Sequence, residues 1–275
     1  MKLLVAGSAR VDAGKTTFSA GLIDSIEDAV GFKPRAGNDY WFDHDDVQRS
    51  IGEGRLYGKD VHTLTAVSAT PEPEELQNPV HRLWRPTPDR RGLLGENGRM
   101  FLVDRVRTAD GDRFIMNGDA EDAGLVPDAV YESLPLSNAP RVRSIPEFNE
   151  LMAELYVPAF DRVESQINET DPVVVESYGD IATPVQSIDF DAVAVVEPTR
   201  ARIYAGDRYE AARSVASGSA QEGQLEERVD RVLEFIEPLS VHELPALTSS
   251  MRADPEAIAT AYKDAYSGLL TAAQS

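Results

Sequence analysis

Apolar residues fall along this chain in two patterns. Four short continuous runs, Leu3 to Ala6, Ala29 to Phe32, Val173 to Val175 and Ala192 to Val196, are bounded by polar or turn-forming residues. Runs of this length without alternation are strands buried on both faces, so they predict a mostly parallel sheet with helices on both sides. Elsewhere the spacing is helical. Phe18, Leu22, Ile23 and Ile26 predict a helix after the first strand. Ile145 to Ile167 predicts a long helix, with Ser144 as N-cap, Pro146 in its first turn and Glu147 three residues after the cap. Pro158 should kink or split it. Further helices are expected near 47–52, near 225–236 and after Asp254-Pro255, with a strand near 239–244.

Between these elements lie less regular stretches. Residues 35–46 combine turn formers, aromatics and four carboxylates, the composition of a working loop. Residues 70–98 are rich in proline and predict an irregular excursion. Met100 to Val106 and Arg113 to Met116, joined by Ala109-Asp-Gly-Asp112, predict a hairpin. The expected architecture is one α/β domain over residues 1–275, with an insertion at about 70–140 that carries the irregular segment and the hairpin.

The strand-to-helix junction carries the most specific chemistry. It reads Gly7-Ser-Ala-Arg-Val-Asp-Ala-Gly-Lys-Thr-Thr17, a phosphate-binding loop in the strand and helix context that such a loop requires. Backbone N–H groups of Asp12, Ala13, Gly14, Lys15, Thr16 and Thr17 can cradle phosphate oxygens. The Lys15 ammonium can reach the β and γ phosphates, and the Thr16 hydroxyl can ligate Mg²⁺. A nucleoside triphosphate is the ligand this predicts. The strict pattern places a Gly where this chain has Ala9, a mild relaxation.

Composition changes the picture in three respects. The chain has no cysteine, which excludes disulfides, thiolate metal sites and cysteine nucleophiles. It has no long apolar run, so a cytoplasmic protein without a membrane segment is expected. Forty-seven acidic residues against 27 basic ones give a formal charge of −20, which argues against nucleic acid and anionic membranes as partners. The acidic excess and the shortage of lysine resemble chains adapted to high intracellular salt, where charge is screened within about 3 Å. With so few lysines, Lys15, Lys33 and Lys59 stand out as candidates for phosphate chemistry.

Several landmarks in order resemble dethiobiotin synthetase and its relatives in the SIMIBI class of P-loop proteins. The phosphate loop is followed by Gly31-Phe-Lys-Pro34, similar to the Tyr-Lys-Pro of that family, and by Asp45-Asp46-Val47 where an Asp opens the next helix. Val173-Val-Val-Glu176, Ser177-Tyr-Gly179 and Thr183-Pro184 resemble the family's Val-Glu-Gly-Ala-Gly-Gly strand end and its downstream Pro. Ile236 to Pro245 is similar to a late strand whose Gly-Glu-Ile-Pro end lines the nucleotide base. The resemblance implies a P-loop NTPase fold, ATP and Mg²⁺ as cofactors, and Lys15 on phosphate. It implies Lys33 beside the reacting group, Thr16, Asp46 and Glu176 around the metal, and Pro245 against the base. Asp43 and Asp45 remain alternatives to Asp46, and GTP an alternative to ATP. Carboxylates at the ends of parallel strands beside a phosphate loop also suit a hard metal on physical grounds.

The departures narrow the substrate. Ser177-Tyr178 replaces the Gly-Ala that helps shape the family's substrate site, which argues against the biotin precursor. The reading that follows is an ATP- and Mg²⁺-dependent enzyme transferring a phosphoryl group to a small anionic substrate, or activating a carboxylate. His44 is a candidate base. The alternative is a nucleotide-switch ATPase that acts on a protein partner as a homodimer, with Arg10 crossing the dimer interface.

Overall fold

The computed structural model describes residues 1–8, 14–91, 93, 97–216 and 227–275. The chain forms two compact units, one of residues 1–34, 63–72 and 164–275, the other of residues 35–62 and 73–163. Strands are numbered along the chain. The first unit holds β1 (Lys2–Gly7), β2 (Val30–Phe32), β8 (Val173–Glu176), β9 (Ala192–Glu197), β10 (Arg200–Ala205) and β11 (Ser240–Glu243). The second holds β3 (Arg35–Asp39), β4 (Val80–Arg91), β5 (Asn97–Thr108), β6 (Gly111–Asn117) and β7 (Arg141–Val142).

In the first unit the sheet order is β11-β10-β9-β1-β8-β2. The four apolar strands β9, β1, β8 and β2 pair in parallel, and β10 and β11 add an antiparallel margin beside β9. Burial explains the continuous valines, because every residue of β8 and all but the last of β9 are sequestered. On one face, helix α1 (Lys15–Asp24) packs with the C-terminal helices through Phe18, Leu22, Tyr266 and Leu269. Gly21 permits that approach, since a Cβ there would lie 2.5 Å from Ile258 Cγ2. The Tyr266 hydroxyl donates to the Phe18 carbonyl at 2.8 Å and ties the two layers.

The antiparallel β10 was not expected from the sequence. It follows β9 through the two-residue turn Pro198-Thr199, in which Thr199 adopts φ +76°. A turn of that shape favours Pro at its first central position, which Pro198 supplies, but ordinarily takes Gly or Asn at the second, so the sequence carries only half of the turn signal. The helix Gly206–Ala216 that follows was likewise unanticipated. The helix expected near 225–236 is observed over Val229–Leu233, and its first residues to 226 lie outside the described residues.

In the second unit the sheet order is β3-β4-β5-β6-β7. The expected hairpin is β5–β6, closed at Ala109-Asp110 by a Thr108↔Gly111 pair. Two expectations are corrected. Residues 35–39 are not loop but β3, paired in parallel with β4, and Gly37 lets the strands meet because a Cβ there would sit 2.8 Å from the Arg82 carbonyl oxygen. Residues 80–91 are not irregular but the long strand β4. Its pairing with β3 ends at Trp84, so Pro86 lies where one side of the strand needs no N–H donor. The long helix is divided as expected, but by a π-helical turn, Met152–Tyr156, between Ile145–Leu151 and Val157–Glu169. Pro158 lacks the N–H that an unbroken ladder would use, and the turn widens just ahead of it.

Candidate functional site

The site is built on the first unit, at the carboxyl ends of β1 and β8. Gly14 takes a left-handed conformation, φ +83°, which favours glycine, and α1 starts at the next residue. Its carbonyl accepts from Phe18 N at 2.9 Å, so Lys15, Thr16 and Thr17 form the first turn. The first turn of a helix has N–H groups without partners inside the helix, and together with the helix dipole this makes it favourable to an anion. Asp12, Ala13 and Arg10, also named from the sequence, lie outside the described residues.

Glu176 is the centre of the arrangement. It ends β8, opposite Val5 of β1, and its side chain is fully buried. Thr16 Oγ1 donates to Glu176 Oε1 at 2.9 Å, and Lys33 Nζ, just past β2, donates to the same oxygen at 2.6 Å. Among the described residues no donor reaches Oε2, which is also buried. A buried carboxylate in water-excluded surroundings needs a countercharge, and Lys33 supplies it. Lys15 is 8% exposed and its Nζ donates to the carbonyl of Gly179 at 2.7 Å. Residues 15, 16, 33 and 176, named separately from the sequence, are thus gathered in one place by β1, α1, β2 and β8.

A second carboxylate ends the neighbouring strand. Glu197 of β9 accepts from Ser8 Oγ at 3.0 Å, from Arg200 Nε at 2.6 Å and from Arg202 at 2.5 Å. Burial alone would raise its pKa, but these donated hydrogen bonds outweigh it and hold the carboxyl below the ordinary range. Ser8, the residue after β1, is thereby fixed to the adjacent strand. Sequence reading named neither Ser8 nor the two arginines. The available signal was the glutamate ending a second Val-rich strand.

Pro245 is placed just after β11, exposed, in an open groove with Thr199, Arg200, Val241, Glu243 and Leu244. That groove lies on the same edge of the sheet as Glu176 and Glu197, because β11 runs antiparallel to β10 and so ends where β9 ends.

The remaining candidates belong to the second unit. Asp45 and Asp46 lie in the first turn of α2 (His44–Gly52), with Asp43 at its N-cap, and Asp46 Oδ1 pairs with Arg49 at 2.9 Å. His44 Nδ1 lies 3.1 Å from the Tyr40 carbonyl oxygen, and Lys59 is exposed at the start of a helix, Lys59–Val67. Among the described residues no three His, Asp or Glu side chains form a metal-holding group, and no helix is long and apolar enough to cross a membrane. Compared with family models, curated proteins and solved structures, the chain matches none.

Proposed function

We propose that this protein is an Mg²⁺-dependent P-loop ATPase of the dethiobiotin synthetase kind, transferring the terminal phosphoryl group of ATP to a small anionic acceptor. The observation that carries this reading is the convergence of Thr16 and Lys33 on one oxygen of Glu176. These contacts span 160 and 143 residues of sequence and meet beside the strand that feeds Gly14 and Lys15. Structural ion pairs rarely need a helix-initiating Lys-Thr and a left-handed glycine next to them; a phosphate cradle needs all of these.

The donor set fits Mg²⁺. The orphaned Glu176 Oε2 and the Thr16 hydroxyl are hard oxygens, and this ion takes one or two protein oxygens and fills its remaining positions with water and phosphate. When bound, the ion would neutralise charge on the phosphate oxygens. The chain's own residues do the rest. The first turn of α1 presents N–H groups to phosphate, and Lys15 neutralises charge as the bond to the leaving oxygen breaks. Lys33 supplies a second ammonium to the transferring group. Phosphoryl transfer asks for positioning and charge rather than a covalent nucleophile, which suits a chain without cysteine. The groove around Pro245, with Glu243 and Arg200 on its rim, is suited to a nucleotide base. Asp46 is engaged with Arg49, and the proposal does not depend on it.

The test is a thermal-shift comparison of ATP, GTP and ADP with and without Mg²⁺ in concentrated KCl, followed by phosphate release with small carboxylates and amines added. A shift selective for ATP with Mg²⁺, and turnover that rises with an acceptor, are expected. No shift with any nucleotide would overturn the reading.

A further inference from the structure

Lys33 occupies one oxygen of the carboxylate that a metal ion would approach. Its ammonium is 2.6 Å from Glu176 Oε1, and the two side chains are 5% and 0% exposed. Thr16 donates to that same oxygen. Water cannot screen the pair from a third charge, so a divalent cation arriving at Oε2 would meet an ammonium across the width of one carboxylate.

We propose that Lys33 is a resident countercharge that keeps divalent metal off Glu176 until nucleotide brings it. The inference rests on the reading of Glu176 as the metal-binding carboxylate. Among the described residues, Glu176 and the ammoniums of Lys15 and Lys33 sum to one positive charge, to which a bare divalent ion would add two more. With the metal carried on a nucleoside triphosphate, the four negative charges of the phosphates reverse that sum and give the Lys33 ammonium a new partner. Metal and nucleotide therefore bind together. Lys33 acts as a positioning residue, exchanging Glu176 for phosphate on loading, which would deliver its charge to the transferring group only when the site is complete.

The experiment is an electron paramagnetic resonance titration with Mn²⁺ alone, in concentrated KCl to suppress binding to the acidic surface. The proteins compared are the wild type, Lys33→Met, Glu176→Gln and the double variant. The wild type should bind Mn²⁺ no better than Glu176→Gln, and Lys33→Met should bind at least about tenfold tighter, because a like charge has been removed from beside the site. The double variant should lose the gain. A structural role for Lys33 would not create a metal site. An unchanged affinity in Lys33→Met, or wild-type binding as tight as that variant's, would overturn the proposal. If the uncompensated carboxylate unfolds Lys33→Met, Lys33→Gln removes the charge while keeping a donor for Oε1, and the same gain is required of it. ATP binding by the wild type in the same buffer separates the two readings. ATP binding without the Mn²⁺ gain refutes the countercharge alone, whereas the gain without ATP binding refutes the ATPase reading.

Discussion

Replacing Lys15 with alanine separates the ligand cradle from the fold. The side chain is 8% exposed, and among the described residues its ammonium donates to the Gly179 carbonyl at 2.7 Å. Hydrogen bonds to charged groups contribute about 1.5–3 kcal/mol, and removing the ammonium also removes its desolvation cost, so losing the bond to Gly179 should change the free protein by only about 1 kcal/mol. Nucleotide binding should change far more, because a charge-assisted contact to phosphate is lost. A hundredfold weaker affinity corresponds to about 2.7 kcal/mol. With ATP and Mg²⁺ at a hundred times the wild-type Kd, ligand linkage stabilises the wild type by about 2.7 kcal/mol and the variant by about 0.4 kcal/mol. For a chain of this size that is a rise in Tm of about 5–10 °C against about 1–2 °C. Scanning calorimetry in concentrated KCl, with and without ligand, reads both terms. If Lys15→Ala keeps the wild-type increment, the loop does not cradle phosphate through this residue.

Three further expectations concern stability. Asp104 is fully buried, accepts two hydrogen bonds from Arg82 and a third from the Tyr156 hydroxyl, so Asp104→Ala should cost about 3–5 kcal/mol by breaking a buried ion pair and taking the acceptor from the Tyr156 hydroxyl; urea unfolding that shows less than about 1 kcal/mol would contradict this. Gly206→Ala should cost at least about 3 kcal/mol, because the new Cβ would lie 1.5 Å from the Phe190 carbonyl oxygen and the backbone must move, whereas Gly54→Ala, with only a φ of +71° against it, should cost about 1 kcal/mol. Glu74, Glu75 and Glu197 respond to pH in the same sense. Burial raises each carboxyl, but hydrogen bonds from His62 and Arg55 to Glu74, from Arg55 to Glu75 and from Arg200, Arg202 and Ser8 to Glu197 outweigh it and hold all three low. Groups lowered on folding stabilise above their ordinary value of 4.5, and that contribution is lost as pH falls through the folded values. Thermal melts should therefore weaken on the acid side of 4.5, and a Tm independent of pH there would count against the ion-pair networks.

What the sequence made legible follows from how each element is stabilised. Strands β1, β8 and β9 are recognisable because both faces are covered, so nearly every residue must be apolar. Helix α1 is recognisable from Phe18 and Leu22 on its buried face. By contrast, β3 reads Arg-Ala-Gly-Asn-Asp, a composition that favours turns. Its strand conformation comes from pairing with β4, and such pairing is invisible in a local window. The prolines of β4 misled for a related reason, since they signal a break only if both edges of the strand are paired. In the candidate site, Lys15, Thr16, Lys33 and Glu176 could be named because a motif and strand ends fix them. The network of Ser8, Glu197, Arg200 and Arg202 could not, because it depends on β10 folding back beside β9 through a turn without glycine.

The most direct measurement is isothermal titration of ATP into the wild-type protein in concentrated KCl, with Mg²⁺ and then with the metal chelated. The account predicts one site per chain whose affinity falls sharply on chelation, because Thr16 and Glu176 would lose the ion that joins them to the phosphates. Saturable binding indifferent to Mg²⁺ would remove Glu176 from the site, and no binding of ATP under either condition would contradict the nucleotide account itself.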